Sequence, residues 1–495
     1  MSSLSNGIGP RAGVLSTSVL AILLAAGLNC FGQGGATPLN PGTVVTGQCQ
    51  GHESEPGCVL PNLFGPQGLS LFPNPVFPHY AHFIGSAQTT INQTLGTSIA
   101  TQLAILPIIS PSSGFTYKYD STAGAFVRST TSFGPIYTER AETIGRGKFS
   151  VGVSYQRFRF GSLDGVDLHN VPATFTHVPD TGVGGVAEPY EADVIRTSNN
   201  INLNMDQTLV YGTVGITDRI DFSVAVPIVS VRMGATSDAS IIRVSGPSFT
   251  DPVSGMTFPN PHEFNAAGAQ TNTYSSTGSA AGIGDVTFRL KAGILQTEKF
   301  RVAAAVDYRA QTGDARKFLG SGAPGVKPFI AVSAGKRYSP HVNMGYQWNG
   351  QSVLAGNITG TTVSENAAGT VVIQNGPATK QGLPGQFFYS FGADLGLTNR
   401  LTFAVDYLGQ TLFNAARVSE STFTTQNIPG GTGALTLPTI TGETGSFTIN
   451  NGAAGLKYNL FNRLLLTADI LFRLNNNGLR QNVTPLVALS YAFGQ

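Results

Sequence analysis

Residues 211–229 read YGTVGITDRIDFSVAVPIV. After the Thr217-Asp218 pair, Ile220, Phe222, Val224, Val226 and Ile228 recur at every second position. Successive side chains of an extended chain point to opposite faces, so this spacing predicts a strand with one greasy face. Three further stretches repeat it. In FRVAAAVDYR the face is Phe300, Val302, Ala304, Val306 and Tyr308; in HVNMGYQW it is Val342, Met344, Tyr346 and Trp348; in RLTFAVDYL it is Leu401, Phe403, Val405 and Tyr407. Tilted strands of about 9 to 11 residues are long enough to cross a bilayer.

Working outward, twelve such segments can be marked, at 148–160, 199–216, 219–236, 282–297, 300–313, 325–338, 341–353, 384–398, 400–414, 445–460, 462–475 and 484–494. The joints alternate. Short links at Thr217-Asp218, Glu298-Lys299, Ser339-Pro340, Asn399 and Phe461 are interleaved with long ones at 161–198, 237–281, 314–324, 354–383, 415–444 and 476–483. Short turns at one end, long loops at the other and an even strand number are the habit of outer-membrane barrels. The expected fold is therefore all-β: a transmembrane, antiparallel, up-and-down β-barrel of about 12 strands. The count becomes 14 if a hairpin at 114–131 joins the wall.

The second face of the strands decides between a membrane and a soluble barrel. Asp285, Arg289 and Lys291 share the face opposite Val286, Phe288, Leu290 and Ile294; Arg301, Asp307 and Arg309 do likewise on the next strand, as do Asp406, Lys457, Asp469 and Arg473. A charge facing lipid costs several kcal/mol, so these ten residues are expected to line the lumen. The other possibility is that they form ion-pair ladders between strands and have no part in transport.

Composition agrees with a barrel. Charged residues are 11% of the 495, against roughly 25% in soluble domains, and hydrophobic residues are 41% with 61 glycines. Only one stretch, near the N-terminus, approaches the 20 or so apolar residues of a membrane helix. The net charge of +2, without a basic run, gives no sign of a nucleic-acid partner.

The N-terminus has the form of an export signal. Arg11 precedes an apolar core from Val14 to Gly27, and the small residues Cys30 and Gly32 place cleavage before Gln33. The alternative is a lipoprotein signal at Cys30, which Leu28 and Asn29 fit badly. Three regions result: a signal peptide at 1–32, a periplasmic or plug extension at 33–147, and a barrel at 148–495. Cys49 and Cys58 are the even pair left after cleavage, so a disulfide is expected, with two free thiols as the other reading. Ile84, Ile91, Leu95, Ile99 and Leu103 predict an amphipathic helix over 80–106. No charged residue lies between His82 and Lys118, so its polar face is Ser, Thr, Asn and Gln. That suits a plug in a wet protein interior, and equally a periplasmic helix or an arm.

Little in the sequence suggests chemistry. Of the seven histidines, His52, His79, His82, His169, His177 and His262 fall in the extension or the long loops, and His341 at an expected turn. The spacing of His79 and His82 could hold a metal on a helix, but no acid accompanies them. Asp164 and Asp167 in SLDGVDL do not complete a calcium loop. The GIGDV at 282–286 lacks the lysine and helix of a phosphate loop. No catalytic residue, cofactor or metal is expected.

The stretches 211–229 and 282–295 (GIGDVTFRLKAGIL) resemble the family called Putative MetA-pathway of phenol degradation, over about residues 148–495. The resemblance implies an outer-membrane transporter of unsettled substrate. It also implies a looser likeness to the long-chain fatty-acid channels, in which case 80–131 would gate the lumen. The last strand, PLVALSYAFGQ, ends near Phe493 and resembles the signal read by the outer-membrane assembly machinery, although Gly494 and Gln495 follow the aromatic. The expectation is thus a channel in the bacterial outer membrane that passes small, hydrophobic or aromatic solutes. The alternative is a structural or surface-binding barrel without transport.

Overall fold

The computed structural model describes residues 49–493 apart from 66–67, 73–82, 107, 111–113, 115, 121–124, 129, 177–188, 252–254, 366–370, 429–430 and 462. The expected signal peptide at 1–32, the lipoprotein alternative at Cys30, and His79, His82 and His177 lie outside the described residues.

Twelve strands form the wall: β1 Phe149–Phe160, β2 Val194–Gly215, β3 Ile220–Ile242, β4 Thr287–Gln296, β5 Phe300–Arg309, β6 Gly325–Ala334, β7 Tyr338–Asn349, β8 Gly385–Gly396, β9 Leu401–Thr424, β10 Thr436–Asn459, β11 Leu464–Arg473 and β12 Val483–Phe493. Each pairs antiparallel with its sequence neighbours, and β12 returns to β1, from Phe493↔Phe149 to Leu486↔Gln156. The sheet is a closed barrel, and closure removes the free edges that water would otherwise have to satisfy.

The turns at 216–219, 297–299, 335–337, 397–400 and 460–463 gather at one end, and the long links at the other. Two of the long links are mostly strand rather than loop. β9 and β10 continue pairing from Leu412↔Phe447 out to Thr424↔Thr436, across a bulge. The upper half of β3 pairs with Thr271–Ile283, which leads into β4 through a break at 284–286. The 24 residues of β9, at about 3.3 Å each, far exceed a hydrocarbon core of about 30 Å, so these hairpins stand clear of the membrane. The 117–120 and 125–128 strands pair only with each other, so the wall stays at twelve.

The expected greasy faces point outward. Val210, Leu290, Val306, Ile330, Met344, Phe391, Val405, Ile470 and Val487 are 37–53% exposed. Aromatics mark the two rims, with Phe149 packed on Phe493 at the short-turn end and Tyr346 on Trp348 near the other. Such a belt between aromatic girdles belongs in lipid. Among the described residues no helix is long and apolar enough to cross a membrane.

Inside the loop half of the barrel sits a helical run at 84–103. Its central stretch, Gln88–Gly96, is wound wider, with i→i+5 bonding. Ile91, Leu95 and Ile99 are buried in one apolar cluster that also holds Phe158, Phe175, Ile201 and Leu203, on or beside β1 and β2. Cys49 and Cys58 form a disulfide ahead of it.

Candidate functional site

From Leu103 the chain descends along the bore. Arg309 holds this segment from the wall, donating from Nη1 to the Ala104 carbonyl (3.2 Å). After the small hairpin, residues 131–147 form an irregular strap across the short-turn mouth. The strap has no regular structure of its own, so its polar groups must find partners on the wall. The Thr131 N–H donates to Lys336 in the 335–337 turn (3.1 Å). At the far end Gly147 N–H donates to Gly215 (2.9 Å), where a Cβ on Gly215 would lie 1.9 Å from the Gly145 oxygen.

Between these ends the strap carries Glu139, Arg140 and Glu142, and each meets a buried wall charge. Glu139 lies against Arg289 and accepts from Lys291 (2.7 Å). Arg140 pairs with Asp394 (2.6 Å), and Glu142 with Arg301 (3.0 Å). Asn343 grips the Glu139 backbone from both sides, accepting its N–H (2.6 Å) and donating to its carbonyl (2.8 Å). Asp406 accepts from the Ile136 and Tyr137 N–H groups (3.4 Å each) and from Thr138 Oγ1 (3.0 Å). Lys457 donates to the Pro135 and Phe133 carbonyls, and Asp221 accepts the Ile144 N–H (2.9 Å). Burial alone would raise the Glu139 carboxyl, but Lys291 and Arg289 beside it hold it down to about 2.

The ten charges singled out from the sequence therefore have different employments. Arg289, Lys291, Arg301, Asp406 and Lys457 anchor the strap. Asp307 accepts from Arg289 (2.6 and 2.9 Å) and pairs with Lys327 (3.0 Å). Asp469 faces inward, buried, with no hydrogen-bond partner for its oxygens among the described residues. Arg473 lies at the loop end near Ser162 (3.4 Å). Asp285 sits in the 284–286 break rather than within a strand and accepts from Gly313 and Ser321 N–H groups (3.0 and 2.7 Å). His341 lies within β7, not in a turn, and bonds Asp406 (2.7 Å). Asp164 is a turn residue that accepts from the Gly478 N–H (2.8 Å). Sequence reading passed over Glu139, Arg140, Glu142, Asp221, Lys327 and Asp394.

Between the helix above and the strap below lies a chamber of about 240 Å³. Leu103, Ile105 and Ile108 of the descending segment, Tyr137 and Glu139 of the strap, and the inner faces of β2 to β9 enclose it. Among the described residues, no three His, Cys, Asp or Glu side chains are grouped to hold a metal ion.

Residues 191–437 match the model of the family described as Putative MetA-pathway of phenol degradation. The chain belongs to that family. The stretch matching the MetA-pathway family runs from β2 through β9 and so contains most of the chamber wall, whereas the strap lies outside it. Among solved structures, an outer membrane channel from Pseudomonas putida F1 is 12% identical, covering 72% of this chain and 99% of its own, with a TM-score of 0.41. The toluene transporter TodX of P. putida is 10% identical, covering 70% and 90%, with a TM-score of 0.29. Likenesses at this distance carry no functional weight. No curated protein matches the chain in sequence.

Proposed function

We propose that the protein is an outer-membrane channel that passes small, hydrophobic or aromatic solutes. The observation that carries this reading is the chamber, a space walled by the barrel and bounded along the bore by two internal segments. A barrel serving only as a scaffold has no need of such a space, and its cost in lost packing would go uncompensated. The lining suits an apolar guest, with Leu209, Leu408, Phe329 and Phe388 among its side chains, and ligand sites are mostly apolar with a few placed polar groups.

A channel is favoured over an enzyme. A serine, a histidine and an aspartate do meet in the loops, but Ser245 Oγ donates to Asp193 (3.0 Å) and His262 Nδ1 bonds the same carboxylate (3.0 Å). With Asn260 on Asp193 as well (2.6 Å), this is a knot that ties loops together. A hydrolase would instead need the serine on the histidine. On this reading a cleaved signal at 1–32 exports the chain, and the strand ending at Phe493 presents it to the assembly machinery.

Uptake by cells tests the proposal. Cells lacking the protein are compared with complemented cells, using labelled aromatics, fatty acids and sugars at low concentration. Protein-dependent uptake of the apolar solutes and not of sugars is expected. No protein-dependent uptake of any solute would favour the structural or surface-binding barrel.

A further inference from the structure

The chamber lining mixes apolar and polar side chains. β2 and β3 present Leu209, Pro227 and Val229 beside Gln207, while β6 to β9, across the ring, present Lys327, Gln347, Gln386 and Gln410 beside Phe329, Phe388 and Leu408. The charges between them cancel. Among the described lining residues, Glu139, Asp285 and Asp307 face Arg289, Arg309 and Lys327, three of each sign. They are joined to one another: Arg289 to Glu139 and Asp307, Lys327 to Asp307 (3.0 Å), and Arg309 to Asp285 (3.7 Å). An ion entering this space would lose its water and meet no net counter-charge.

Hydrogen-bonding capacity remains on both sides of the chamber. Gln386 is 3% exposed, and its Nε2 has no hydrogen-bond partner among the described residues. Gln207 Oε1, on another lining side chain, is also unpartnered. Rotation of either amide toward a guest would relieve an unmet bond. Lys327 is the chamber cation least covered by protein, with 26% of its side chain exposed. Its Nζ stands over the rings of Phe329 (5.7 Å) and Phe388 (5.0 Å). As to size, a hydrocarbon-lined cavity of about 150 Å³ takes up benzene, so about 240 Å³ admits one ring with a short arm.

We propose that the chamber selects uncharged amphiphiles. The apolar body lies against Leu209, Pro227 and Val229, and a neutral hydrogen-bonding head, such as a hydroxyl, meets Gln386 and Lys327. This deepens the channel reading and rests on it.

Four probes with one apolar body separate the alternatives: 2-phenylethanol, ethylbenzene, phenylacetate and 2-phenylethylammonium. Each is titrated calorimetrically into the full-length protein in lipid nanodiscs, with empty nanodiscs as the blank. The alcohol is expected to bind at least ~10-fold more tightly than the other three, the discrimination that placed hydrogen-bonding groups give. The double variant Gln386→Leu/Lys327→Met, with its folded barrel verified by the gel mobility of the unheated protein, should bind the alcohol no better than ethylbenzene. Equal binding of alcohol and hydrocarbon, preference for either ion, binding of none, or an unchanged preference in the variant would each overturn the proposal. Saturable alcohol binding without protein-dependent uptake in cells would instead count against the channel reading and leave the chamber's selectivity standing.

Discussion

Glu139 is the residue on which the strap turns. It sits between Arg289 and Lys291, all three buried, and its oxygens also meet Ser110. Removing one partner of a buried ion pair costs about 3–5 kcal/mol, because the other charges stay buried without it. Glu139→Ala is therefore expected to loosen the strap by that order, read as faster proteolysis within 131–147 while the barrel keeps its folded gel mobility. The pH dependence follows from the depressed carboxyl. Its folded value of about 2 lies below the ordinary value of about 4.3, so its stabilisation is fully present above pH ~4.3 and is lost as pH falls through about 2. Strap protection measured by hydrogen exchange should hold at pH 5 and fall as acid approaches pH 2. Protection lost already between pH 6 and 5 would contradict this assignment.

The elements differ in how plainly the sequence announces them. The strands were legible because each stands between lipid and a polar bore, so alternation such as Phe300, Val302, Ala304, Val306 and Tyr308 is imposed along its length. The upper parts of β9 and β10 were not: above the membrane no lipid face enforces the period, and 415–444 carries strand pairing without it. The strap was not legible either, since an irregular segment has no period and all its anchors are distant in sequence. One signal was available. The ten candidate lumen charges comprise six cations (Arg289, Lys291, Arg301, Arg309, Lys457, Arg473) and four anions (Asp285, Asp307, Asp406, Asp469), and the TERAE at 138–142 supplies two more carboxylates. The helix at 84–103 is held by packing, with Leu95 wholly buried. Leu95→Ala should cost about 2–5 kcal/mol, seen as faster hydrogen exchange over 84–103 with the wall strands unchanged. Uniform loosening of the wall would show instead that the helix is part of the barrel's folding core.

At the scale of the whole molecule, one arrangement accounts for the composition, the belt and the buried charges: apolar faces outward to lipid, polar faces inward to a strap and a chamber. An arginine placed mid-wall on the outer face should cost about 2–4 kcal/mol, so Ile330→Arg, at a position 48% exposed, should lower the folded yield in lipid vesicles well below wild type. An unchanged yield would place that face away from hydrocarbon. The most direct test of the whole account is single-channel conductance in planar bilayers, comparing wild type with the triple variant Glu139→Ala/Arg140→Ala/Glu142→Ala. Wild type should pass little current and the variant several-fold more, because its strap has lost the ion pairs that its own side chains make with the wall. A folded variant conducting no better than wild type would contradict a bore closed by a strap pinned to the wall.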